Sequence, residues 1–177
     1  LAAGDLIIAL TYDNSTMTGL TAPSGFAFLS AAYNVSGFYH TRMSAKIATA
    51  GDAAATDFTF TYPGGFSSCG VILFVYRHVN QTTPIQAYSK TLTSNPAAAV
   101  NFPSATAVMS SSLLIGMSET NIAVPTPVGF DERYSDAGYG TVLFDKEIMR
   151  PNIHPAFTTT TGSGADNAGS VFILNPP

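Results

Sequence analysis

The sequence predicts an all-β fold, a double-sheet β-sandwich of about 10–12 strands built from two duplicated halves. Three observations predict it. Apolar and polar residues alternate at the period of a strand, as in "DFTFTY" (Asp57–Tyr62). No stretch of helix length carries an apolar stripe at a 3.6-residue period. Short motifs of the first half also return, in the same order, in the second.

The elements are taken in chain order. "GDLIIAL" (Gly4–Leu10) reads as an entry strand. In Pro23-Ser24-Gly25-Phe26 a proline fixes φ, a glycine is free to take positive φ, and an aromatic starts the next strand in the core. Tyr33-Asn34-Val35-Ser36-Gly37-Phe38 reads as a strand, a short hairpin loop and a returning strand. In Asp57–Tyr62 the residues Phe58, Phe60 and Tyr62 share one face of a half-buried strand. "VILFVY" (Val71–Tyr76) is apolar on both faces, as expected of a central strand covered twice. "YPGG", "SNP" and "GSGADNAG" read as turns and loops.

"GDLIIAL" returns as "SSLLIGM" (Ser111–Met117), and Pro23–Phe26 returns as Pro127-Val128-Gly129-Phe130. The Tyr33–Phe38 hairpin returns as Tyr134–Tyr139, Lys46 as Lys146, and "GVILF" (Gly70–Phe74) as "SVFIL" (Ser170–Leu174), a shift of 100. An ordered set of matches is an internal duplication, and its period is too long for a solenoid repeat. The expected organisation is one domain, 1–177, with copies at 1–79 and 108–177 exchanging strands across a pseudo-twofold. The joining segment 80–107 holds strand-like "IQAYSKTL" and "AAVNF", so it is no flexible linker. The second copy is preceded by "AAVNFPSA" (Ala98–Ala105), which has no counterpart before the first. One half thus lacks a leading strand, and the edge so left calls for a neighbouring chain or an upstream segment.

Composition narrows function. Charged residues make up 10% of the 177 residues and the net charge is −4, with no basic run. That excludes the clustered Lys and Arg of a nucleic-acid surface. The longest apolar runs fall far short of the roughly 20 residues of a membrane helix, so no membrane partner is expected. The chain opens without Met, as a processed or partial chain would. Cys69 is the sole cysteine, and its apolar setting "SSCGVILFVYRHV" reads as a small buried hydrophobe rather than a nucleophile. His40, His78 and His154 lack metal-ligand spacing. The carboxylates Asp131, Glu132, Asp136 and Asp166 lack the dense D-x-D-x-D pattern of a calcium loop. There is no Gly-x-Ser-x-Gly elbow. The expectation is a protein that is not an enzyme, with no metal and no cofactor.

Gly4-Asp5-Leu6, Pro23–Phe26, the stretch Lys46 to Asp52, Tyr76-Arg77-His78-Val79 and Pro84-Ile85 together resemble a β-sandwich module recurrent in phage virion proteins and in bacterial surface or secreted proteins. In that module Lys46–Asp52 would be a hairpin, and Phe26 and Phe130 stand where tryptophan is commoner. The resemblance covers nearly the whole chain and implies a jelly-roll-like sandwich in a structural or adhesive setting, with no catalytic residues to carry over.

If the repeat is scaffold, function belongs where the copies differ. The first-copy loop Asp13–Gly19 is three residues longer than its counterpart, so the fold does not demand it. Asp13, Asn14, Thr16, Met17, Tyr39 and His40 are therefore the candidate partner contacts. The hairpin aromatics Tyr33, Phe38, Tyr39, Tyr134 and Tyr139 read as packing residues rather than a sugar platform. The expected partners are like subunits or other virion proteins on a phage particle, as capsid cement, decoration or a fibre or tail domain. The alternative is an extracellular adhesin module binding a cell-surface glycan or receptor.

Overall fold

The computed structural model describes the chain apart from residues 14–19, 32, 36–38, 63–68, 121–123 and 137–140; at 33–35, 39, 93–98, 119 and 161–166 it describes the backbone alone. The fold is all-β, 58% strand and 4% helix, of the β-sandwich type and without a closed barrel. Two compact units divide it, Leu1–Gln81 and Thr82–Pro177.

The first unit carries β1 (Leu6–Asp13), β2 (Ala27–Phe28), β3 (Tyr33–Val35), β4 (Tyr39–Ile47), α1 (Ala50–Ala54) and β5 (Cys69–Tyr76). Its antiparallel sheet runs β2-β4-β1-β5, with β3 also on β4. The second unit carries β6 (Ile85–Phe102), β7 (Ala105–Ala107), β8 (Ser112–Glu119), β9 (Asp131–Asp136), β10 (Thr141–Ile148), β11 (Asn152–His154) and β12 (Phe157–Leu174). Its sheet runs β6-β12-β8-β10-β9, and β7 and β11 form a separate pair. Every pairing among the described residues lies within one unit, so the expected strand exchange between halves is absent there.

The matched segments take corresponding places in the two sheets. The order β4-β1-β5 of the first corresponds to β10-β8-β12 of the second. Lys46 pairs with Ile7, and its copy Lys146 pairs with Leu114, the copy of Ile7. The two turns agree closely. Phe26 N donates to Pro23 O at 3.2 Å and Phe130 N to Pro127 O at 3.2 Å, with Gly25 at φ +86 and Gly129 at φ +84. Positive φ at the third residue makes each a type II turn, which glycine adopts without strain. Lys46 Nζ lies 5.9 Å from the Phe26 ring centre and Lys146 Nζ 5.8 Å from that of Phe130.

Four expectations are corrected. The strand match is slipped by two: Leu10 faces Ile72, but Met117 faces Ser170, so Phe74 corresponds to Phe172 and the shift is 98 rather than 100. An even slip keeps every side chain on its face, which hid the error from the pattern. Lys46–Asp52 contains not a hairpin but the start of α1, capped by Thr49: Asp52 N donates to Thr49 Oγ1 at 3.3 Å, and Thr49 N to Asp52 Oδ2 at 2.7 Å. Asp57–Tyr62 keeps its alternating exposure but joins no ladder beyond a bridge between Thr21 and Thr61. "SNP" and "GSGADNAG" lie within β6 and β12, while Pro63 to Gly65 of "YPGG" lie outside the described residues.

In the second unit, β6 and β12 are eighteen residues each and pair along their length, with bulges between Thr160 and Asn167. Pro96 is tolerated because β6 is an edge strand. Phe102, Phe157, Phe144 and Phe130 form one aromatic cluster, Phe102 stacked on Phe157 at 4.7 Å and edge-on to Phe144 at 5.2 Å. That cluster joins Val100, Leu114, Val142, Val171 and Ile173 in the buried core. Glycine is required at two crossings. A Cβ on Gly116 would run into the Phe144 ring, and one on Gly169 into the Asn101 carbonyl. In the first unit β1 is buried on both faces, and on the Lys46 side Phe26 meets Phe58 at 5.8 Å and Phe60 at 5.3 Å.

Candidate functional site

The register places Asp13 opposite His40 on one side and opposite Cys69 on the other, a row across three strands. Two of the candidate contacts, Asp13 and His40, are thus brought together. Asp13, however, is fully buried, so it is no surface contact. His40 is half-buried, and its Nδ1 is enclosed with no hydrogen-bond partner among the described residues. Asn14, Thr16 and Met17 lie outside the described residues, and of Tyr39 only the backbone is described, in β4.

Burial, then Cys69, Asp13 and Tyr12, push the Tyr62 phenol above its ordinary value, and its hydroxyl donates to the Gly70 carbonyl at 2.5 Å. The row gathers a carboxylate, an imidazole and a thiol, but Asp13 stands between the other two. Strands lie about 4.8 Å apart, so His40 and Cys69 are two spacings from each other. A thiol nucleophile needs its base within hydrogen-bond reach, and this geometry does not supply it.

A second grouping lies in the other unit. Lys146, Glu147, Ile148, Met149, Arg150, Pro151, Asn152 and His154 line an open cleft of about 470 Å³. Burial, and then Lys146, hold the His154 imidazole below its ordinary value. Nearby, Arg133 Nε donates to buried Asp145 at 2.8 Å, and Tyr134 OH donates to Asp136 at 3.2 Å. Of the β9 carboxylates, Asp136 is thus held by Tyr134, Glu132 accepts from Thr126 Oγ1, and Asp131 lies 3.7 Å from Arg133. Among the described residues no group of three His, Cys, Asp or Glu is placed to hold a metal.

The largest departure from expectation is β5. The sequence pattern predicts a central strand with a buried cysteine. Instead β5 ends its sheet with β1 as its one strand neighbour among the described residues, and Cys69 is exposed. Register puts Cys69, Val71, Leu73 and Val75 on one face. Leu73 and Val75 are 40% and 46% exposed, whereas the residues at the same places in the other sheet, Val171 and Ile173, are 1% and 0% exposed. The difference lies in β6, which flanks β12, and in Val100, Phe102, Ala105 and Ala107 of β6 and β7, which share its core.

The sequence pattern does not single out Leu73 and Val75. The segment that flanks Val171 and Ile173 is Ala87–Ser89, within the strand-like "IQAYSKTL" of the joining segment, whereas Ala99–Phe102 meet β12 at Phe157–Thr160. Compared with protein-family models, with curated proteins and with solved structures, the chain matches none.

Proposed function

We propose that this chain is a non-enzymatic structural subunit that works through contacts with like subunits or other particle proteins. Its setting is a phage virion, as capsid cement or decoration or as a fibre or tail domain. One observation carries the reading: an apolar strand, β5, stands at a sheet edge with Leu73 and Val75 in solvent. An unflanked apolar strand offers backbone donors and acceptors together with apolar side chains to a pairing partner. The surrounding surface supports it, because a chain with 10% charged residues strips few ions of water when subunits meet. The module resemblance supplies the virion setting.

The test is to probe purified particles for this chain by mass spectrometry, and to add the isolated protein back to particles that lack it. Recovery with particles, and saturable rebinding, are the expected results. A protein that ignores particles but binds polysaccharide on a glycan array would replace this reading with the adhesin.

A further inference from the structure

We infer that β5 is a strand-addition site whose occupant is β5 of a second copy, paired antiparallel across a twofold axis; this rests on the subunit-contact reading above. The two sheets have four edges, and three are guarded against pairing. The β2/β3 edge is made of strands of two and three residues. The β9 edge carries Asp131, Glu132, Arg133 and Asp136. The β6 edge contains Lys90 and Pro96. Short strands, charges and proline are the devices by which proteins blunt an edge. β5, "CGVILFVY", has eight residues, no charge and no proline.

The duplicated half shows what such a strand accepts. The corresponding strand β12 takes β6 as an antiparallel partner, in addition to the neighbour β8 that corresponds to β1. The first unit has the acceptor without the donor among its described residues. A donor in a second copy must itself be unguarded, because a charge or proline would be carried into the new ladder. By that criterion the matching edge is β5 itself.

A twofold axis perpendicular to the sheet makes the pairing antiparallel and keeps the same face up in both copies. With Leu73 opposite Leu73, Val71 of each copy lies opposite Val75 of the other. The two exposed stripes then become one apolar patch of cross-strand pairs. An eight-residue strand is about 26 Å long, a small interface, so association is expected on the order of micromolar.

Sedimentation velocity across a concentration series decides it, on the native chain and on Leu73→Lys, Val75→Lys and Val128→Lys. Val128 is fully exposed on the second-unit turn and serves as the control. The native chain and V128K should shift from monomer to dimer, while L73K and V75K stay monomeric with native circular dichroism. Either edge variant alone suffices if the other fails to fold. Air oxidation of Leu73→Cys in a Cys69→Ser background should give a disulfide-linked dimer. Undiminished association of the edge variants would overturn the β5 pairing and leave the subunit-contact reading standing. A native chain that stays monomeric yet rebinds particles would likewise remove the second copy as occupant. Monomeric behaviour without particle binding would remove both.

Discussion

At the scale of single residues, the structure is governed by a few groups whose neighbours leave little freedom. Lys46 Nζ donates to Asp52 Oδ1 at 2.7 Å, and the Thr49 backbone and hydroxyl add further hydrogen bonds to the same carboxylate. Lys46 first, then Thr49, hold the Asp52 carboxyl down at about 2 from 3.8. A depressed carboxylate favours the folded state above its unfolded value, so this contribution is intact at neutral pH and fades as pH falls from 3.8 toward 2. A carbon-13 titration should place the Asp52 midpoint near 2, with a rise toward 3.8 in Lys46→Met. An unmoved midpoint in the variant would show that Lys46 is not the cause. Gly116 makes the steric case. Gly116→Ala should cost about 1–3 kcal/mol in urea unfolding, because the Phe144 ring is buried and cannot swing clear. Gly51, in the exposed turn of α1, meets only Thr49 Oγ1 at 3.6 Å, and its change to Ala should be neutral or stabilising by up to about 1 kcal/mol.

At the scale of elements, local chemistry was legible in the sequence and long-range partnership was not. Pro-x-Gly-Phe gave both type II turns correctly, since proline and glycine set backbone angles through their own covalent structure. The alternation in Asp57–Tyr62 gave the right inward face, Phe58 and Phe60, but not the missing ladder. Hydrophobic pattern reports burial, whereas a ladder needs a partner elsewhere in the chain. The same limit explains β5. Leu73 and Val75 and their β12 equivalents Val171 and Ile173 are alike in being apolar, and they are separated by β6 lying against one pair and no described strand against the other. The cap of α1 could have been found from Thr49 and Asp52 three residues apart, the spacing of a capping box. Of the candidate contacts, Asp13 was misplaced because burial of a carboxylate is not visible in loop-like sequence. Cys69, expected to be shielded, should instead react with a thiol reagent in dilute native protein without denaturant, since it is exposed at the start of an edge strand. Resistance until unfolding would place β5 under cover and restore the central-strand reading.

At the scale of the whole molecule, the two sheets share a core of pairings and differ at their margins. In the second sheet β6 flanks β12, and Val171 and Ile173 are 1% and 0% exposed. The first leaves Leu73 and Val75 in solvent. On the proposed reading, this charge-poor chain assembles through that edge. The direct measurement is amide hydrogen exchange on β5 and β12 at nanomolar and at high micromolar protein. β12, flanked on both sides, should be strongly protected at both concentrations. β5 should exchange readily when dilute and become protected, segment 69–76 alone, as the concentration rises. Equal, concentration-independent protection of β5 and β12 would contradict an edge that awaits a partner.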